Sequence, residues 1–336
     1  MPRSTRGSVV PNINDINETE IRTALSVAKD ARRKYSCLRQ ENLSQRAQIQ
    51  ANQRNRSERL LSSTLTGTGH DIMELEKICE QTQVEMGQFL EKQKSAVIKR
   101  SSSVKDTLRY RTDARRKVIE GLALAPMPIL NAVVLDTPLF ILPSQGINLA
   151  PPHIQPWNNV AKISGQWETP YPDNRSDNVS FVFVWKNPSA KYAVVNVLSS
   201  LILNGFCYAW ADAGVFVSNL ASLIISGRLG ILEWWNNPPT SPPEESGQIQ
   251  DIVDLEAQAY GHIFEVGDYE SSAISGYYGF DYQQFVLPPE GVAVFEVELD
   301  IFHAIETFGG HGSIGVDFAS GDFEVMCPAV IIFILS

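Results

Sequence analysis

At 336 residues, 43% hydrophobic and 20% charged, the chain has material for about two domains around a real core, which sets aside an extended disordered protein. The net charge of −10 is unevenly spread: residues 1–125 hold 23 Lys and Arg against 15 Asp and Glu, a balance of +8, and the remainder stands at −18. A domain that acidic repels DNA, so nucleic acid is the partner class that composition disfavours most.

Residues 1–14 read as a flexible lead-in. They hold no apolar run of the kind a secretory signal needs, so the expected location is the cytoplasm, or outside by a non-classical route. From Asp15 onward no Pro or Gly appears until Gly67. Asn14 or Asp15 can cap a helix there, with Glu18 in its first turn. Ile21, Leu25, Ala28, Tyr35 and Leu38 fall on one face, while the stretch through Leu61 is very polar.

"TGTG" at 66–69 breaks the pattern. A second helix is predicted from Asp71, with Ile72, Leu75, Cys79, Met86, Phe89 and Ala96 in a loose heptad that slips at "RSSS" and resumes through Val104, Leu108, Val118 and Leu122. Alternating steps of three and four residues fit a helical hairpin or coiled coil, and Ile72, Leu75, Met86 and Phe89 are the helix-packing candidates. Thr82 and Gln93 make the seam imperfect, so further helices are needed to bury it. The expectation is a homo-oligomer assembled through residues 15–124. Basic clusters at 31–35, 99–100 and 114–118 suit either an anionic surface or the acidic half of the same or a neighbouring chain.

"APMPIL" at 125–130 stops the helix, because proline cannot continue it. Beyond it Gly, Pro, Asn and aromatics become frequent. In "GVAVFEVELDIF" (291–302), Ala293, Phe295, Val297, Leu299 and Ile301 point one way and Glu296, Glu298 and Asp300 the other, as in a half-buried strand. "SFVFVW", "YAVVNVLSSLIL", "LASLIISGRLGILEWW", "YQQFVL" and the closing "FEVMCPAVIIFIL" read as further strands. Many strands between Gly/Pro/Asn turns predict an antiparallel, jelly-roll-like β-sandwich over 130–336. The fold class is therefore α+β in two parts.

The chemistry-bearing motifs are sparse. Gly310, Gly312 and Gly315 have G-x-G-x-x-G spacing, but only 21 residues follow, too few for a dinucleotide fold; glycines with positive φ in a loop between strands is the expectation. Cys37, Cys79, Cys207 and Cys327 form no C-x-x-C and read as idle thiols. His303 stands near Glu298, Asp300 and Glu306, yet strand alternation separates it from the first two, so it is expected as a surface histidine rather than a metal ligand. No G-x-S-x-G, P-loop or kinase signature occurs, and no cofactor or enzyme activity is expected.

Aromatic side chains are the stronger signal. Trp157, Trp167, Trp185, Tyr208, Trp210, Tyr277, Tyr278 and Tyr282 all lie in the acidic half, where rings beside Asn and Asp suit carbohydrate or protein ligands. Tyr277 and Tyr278, in "SGYYGFDY", are the ligand-binding candidates. Residues 192–211 carry no charge, and their composition favours sandwich strands over a membrane hairpin. The layout resembles stalk-and-head proteins that oligomerise through helices and present a β head. It points to a non-enzymatic structural or binding protein; the alternative reading is a membrane-active, pore-forming or toxin-like protein with a basic helical domain.

Overall fold

The computed structural model describes residues 18–19, 21–27, 87–99, 131–144, 147, 154–155, 159–169, 173–212, 219–234, 244–259, 267–307 and 311–335, with single helical positions at 67, 77, 81, 84 and 85. The strand with the cleanest alternation organises one sheet. In β11 (Val292–Thr307), Ala293, Phe295, Val297, Leu299 and Ile301 are fully buried on one face. It pairs antiparallel with β6 (Asp173–Lys186) along one edge and β8 (Asn219–Trp234) along the other. Outside these lie β2 (Phe140–Pro143) and β9 (Glu244–Ala259), giving the five-stranded order β2-β6-β11-β8-β9.

The second sheet has nine strands built on β7 (Ala193–Asp212). One edge of β7 is paired along its whole length with β10 (Asp268–Leu287). Its other edge takes three shorter strands in succession: β14 (Val330–Ile334), β13 (Glu324–Met326) and β12 (His311–Asp317). Each of these carries an outer neighbour: β1 (Asn131–Leu135) on β14, β4 (Val160–Ala161) and then β3 (Ile154–Gln155) on β13, and β5 (Ser164–Thr169) on β12. Every pairing is antiparallel, as the turn-separated strands of 130–336 predict.

One hydrophobic cluster joins the two sheets. It takes Phe181, Leu223 and Phe295 from the five-stranded sheet and Val195, Leu201, Phe280 and Ile314 from the nine-stranded one. The uncharged run at 192–211 now has a physical reason. Odd-numbered β7 residues face this core, and even-numbered Ile202, Asn204, Phe206 and Trp210 on the other face are also buried. A strand covered on both sides has no place for charge. Among the described residues no helix is long and apolar enough to cross a membrane.

The helical expectation needs correction. Two helical stretches of some length are described, α1 (21–27) and α2 (87–99), and they lie on opposite outer faces of the paired sheets. Ile21 and Leu25 of α1 pack on Phe140, Val182, Leu232, Val292 and Val294 of the five-stranded sheet, with the Arg22 guanidinium 4.3 Å above the Phe140 ring. In α2, Phe89 meets Tyr269 edge-on at 5.2 Å, and Ser271 Oγ donates to Gln93 Oε1 at 2.7 Å, both partners belonging to β10. Ile21 and Leu25 are thus covered by sheet, Phe89 touches sheet while staying partly exposed, and the described residues form no helical hairpin. Ile72, Leu75 and Met86 fall outside the described residues.

The solvent-facing side expected for β11 is also different. Glu296 and Glu298 are buried, with carboxylate oxygens 3.8 and 3.5 Å from Arg228 Nη1 on β8. α1 covers the same face at Val294 and Leu232, so an ion pair replaces hydration there.

Candidate ligand-binding cleft

The cleft is assembled from one short piece of β7. Along Gly205–Ala211 the small residues Cys207, Ala209 and Ala211 turn into the core, and the aromatics Phe206, Tyr208 and Trp210 turn outward. On β12 the outward residues are Ser313, Gly315 and Asp317; on β5 they are Ser164, Gln166 and Glu168. Register sets these against each other: Gly315 lies opposite both Tyr208 and Gln166, and Ser313 opposite both Trp210 and Glu168. Gly87, Leu90, Glu91 and Lys94 of α2 form the roof, leaving a cleft of about 520 Å3, a volume in the range of small-ligand sites.

A polar row crosses the floor. Gln166 Nε2 donates to Glu168 Oε1, Ser313 Oγ donates to the same oxygen at 3.4 Å, and the Ser313 and Tyr208 hydroxyls lie 3.2 Å apart. Burial raises the Tyr208 phenol above its ordinary value; the bond to Ser313 opposes this, and the nearby Glu168 charge adds to it. At the other end Asp317 accepts from Lys94 Nζ at 2.6 Å, from Ser320 Oγ at 2.6 Å and from the backbone amides of Ala319 and Ser320 at 2.8 and 2.9 Å. Burial alone would raise the Asp317 carboxyl, but these four donors outweigh it and hold it below the ordinary carboxylate value.

The chain matches no protein-family model and no curated protein. Among solved structures it is similar to a carbohydrate-binding module, TmCBM61, in complex with β-1,4-galactotriose, at 7% identity and a TM-score of 0.15 over 56% of this chain and 85% of that one. The enzymatically active domain of tailspike protein 4 from bacteriophage CBA120 follows at 8% identity and TM-score 0.17, over 59% of this chain and 19% of that one. A CocE/NonD family hydrolase from Staphylococcus aureus follows at 12% identity and TM-score 0.16, over 63% and 37% of the two chains. None of the three reaches the level of a shared fold.

The residues singled out in the sequence are dispersed. Tyr277 is 40% exposed, whereas Tyr278 turns inward and packs on the core, because neighbours in a strand face opposite ways. Neither lines the cleft. Phe89 is 39% exposed on α2. Cys207 and Cys327 are buried thiols pushed up to about 12 by that burial.

Gly315 corrects the loop expectation. It lies within β12, and the positive-φ glycines among the described residues are Gly267 and Gly321. A Cβ at Gly315 would run into the Tyr208 ring, so the glycine is there for close approach rather than for a turn.

His303 differs from expectation too. It does face away from Glu298 and Asp300, but into the core, where it is fully buried. Its Nε2 lies 3.2 Å from Asp177 Oδ2, and its ring stacks on Trp167 at 3.9 Å. Ser144 Oγ donates to the other Asp177 oxygen at 2.7 Å. The serine therefore meets the carboxylate and not the imidazole, and a nucleophile–base contact is not made. Among the described residues no three His, Cys, Asp or Glu side chains converge as a metal site does.

The cleft residues were partly legible. Tyr208 and Trp210 stand out as aromatics, and the spacing of Phe206, Tyr208 and Trp210 puts them on one face. Glu168, Gln166 and Ser313 carry no local signal, since long-range register alone brings them together.

Proposed function

We propose that the chain is a non-enzymatic binding protein with a jelly-roll head, which self-associates through its N-terminal region and takes a ligand in the cleft under α2. The observation that carries this reading is the cleft itself. Aromatic and polar side chains from three strands converge there beneath a helix, at ligand size. The jelly-roll assignment rests on strand order. β5-β12-β7-β10 faces β6-β11-β8-β9, and from β5 to β12 the chain changes sheet at every step but β8 to β9. That is the path of two interleaved Greek keys. A non-catalytic role is favoured because Asp317 is saturated by four donors and Ser313 is bonded to a carboxylate and a phenol rather than to an imidazole.

The test is ligand-observed NMR on the full chain with a mixed library of neutral, anionic and cationic fragments. Wild type is expected to bind members of at least one class, and Ser313→Trp, which fills the cleft floor, to lose them. Fragments that bind both proteins alike, or neither, would sink the assignment of the cleft.

A further inference from the structure

We propose that this cleft takes a neutral saccharide of two or three rings, held by the Gln166–Glu168–Ser313–Tyr208 row; the inference rests on reading the cleft as the binding site. The first ground is hydrogen-bond supply. Glu168 spends Oε1 on Gln166 and Ser313, while among the described residues its Oε2 has no hydrogen bond. Gln166 and Glu168 are both exposed. Ser313 gives its one hydroxyl proton to Glu168, so Tyr208 donates to Ser313. Such a row offers the second Glu168 oxygen, the Gln166 amide and two hydroxyl oxygens at short intervals, which matches a ligand whose own groups both donate and accept.

The second ground is charge. Lys94 is the cation in the lining, and it is engaged by Asp317 at 2.6 Å. Glu91 and Glu168 are left over, so phosphate, sulfate or a carboxylate ligand meets uncompensated negative charge. The same two carboxylates attract a cationic amine, so spermidine is the competing class that titration sets against the saccharides. The third ground is shape. Leu90, Phe206 and Trp210 are buried against their own neighbours, and the half-buried Tyr208 is the aromatic that offers a face to the C–H side of a sugar ring beside the polar row.

Isothermal titration calorimetry on the full chain tests this with cellotriose, maltotriose, mannotriose, chitotriose and β-1,4-galactotriose, and with spermidine and inorganic sulfate as charged probes. At least one trisaccharide is expected to bind with Kd between about 10 µM and 1 mM. Glu168→Ala should weaken it at least tenfold with the thermal midpoint unchanged, since Glu168 is exposed. Ser313→Trp, at a buried position where the larger side chain lowers the midpoint, should abolish binding at a temperature where the variant is still folded. No trisaccharide binding, or binding indifferent to both substitutions, overturns the proposal. Binding of spermidine or sulfate that Ser313→Trp removes overturns the saccharide class and leaves the cleft standing. If Ser313→Trp alters no ligand at all, the cleft falls with it.

Discussion

At the scale of single residues, the site depends on an atom that is missing. Gly315 gives the Tyr208 ring room to lie flat across β12. Gly315→Ala forces ring or strand to move, and overpacking of this kind costs about 1–3 kcal/mol. The expected result is a thermal midpoint lowered by roughly 3–10 °C, with part of the loss recovered when Tyr208→Ser is added. An unchanged midpoint would mean that the ring has somewhere else to go. Glu306 supplies a pH-dependent counterpart. Burial pushes its carboxyl up to about 7 from an ordinary 4.5. The fold therefore favours the protonated acid, so the penalty is absent below pH 4.5 and grows as pH rises through 7. Glu306→Gln, which stays neutral, is expected to melt higher than wild type at pH 8 and level with it at pH 4.5. Equal midpoints at both values would rule the penalty out.

At the scale of elements, α2 and the sheet beneath it have separate stabilities. The helix is anchored by Leu90, by Phe89 on Tyr269 and by Lys94 on Asp317, a small set beside the continuous core of the two sheets. Loss of the Leu90 anchor should release the helix without unfolding the strands. Leu90→Ser is expected to speed amide exchange across 87–99 by about tenfold or more, corresponding to at least 1.4 kcal/mol, with β7 and β11 unchanged. Uniform acceleration of all three would show that helix and sheets open as one unit. The same division explains what could be read in advance. Period-two alternation in 291–302 set the inward face of β11 correctly, because alternation is a local property. It could not show that the opposite face is covered, since α1 and Arg228 arrive from distant parts of the chain. The apolar stripe containing Phe89 and Ala96 reads as a buried helix face, yet both are exposed and the buried residue of α2 is Leu90, outside that stripe. The covering element was not legible either, because a stripe specifies burial and leaves open whether helix or sheet supplies it.

At the scale of the whole molecule, the opposed charges of the two halves bear on assembly. Residues 1–125 at +8 and the remainder at −18 attract one another within a chain or between chains. The acidic side includes β9 and β10, the outermost strands of the two sheets, which contain no Lys or Arg. Their edges are already blunted: Glu270 and Asp268 carboxylates accept from the amides of Glu256 and Gln258 at 3.0 Å, and Gln248 accepts from the amide of Asp281 at 2.8 Å. Strand-to-strand addition is thereby discouraged at this edge of each sheet, and the helical region is the route of association that salt dependence tests. Two forces could drive it, and they respond differently to salt. Attraction between exposed charges fades as the screening length falls from about 10 Å at 0.1 M to about 3 Å at 1 M. An apolar seam through Ile72, Leu75 and Met86 does not weaken over that range; Phe89 is not counted in it, because it packs on Tyr269 of its own chain. Sedimentation velocity on the full chain is expected to give an oligomer at both salt concentrations, and a monomer at both when Ile72, Leu75 and Met86 are made polar. An oligomer that dissociates at 1 M in the unmodified chain would assign the assembly to charge rather than to the seam. A monomer at every salt would remove self-association from the function and leave the cleft to act one molecule at a time, without the gain that repeated weak sites supply.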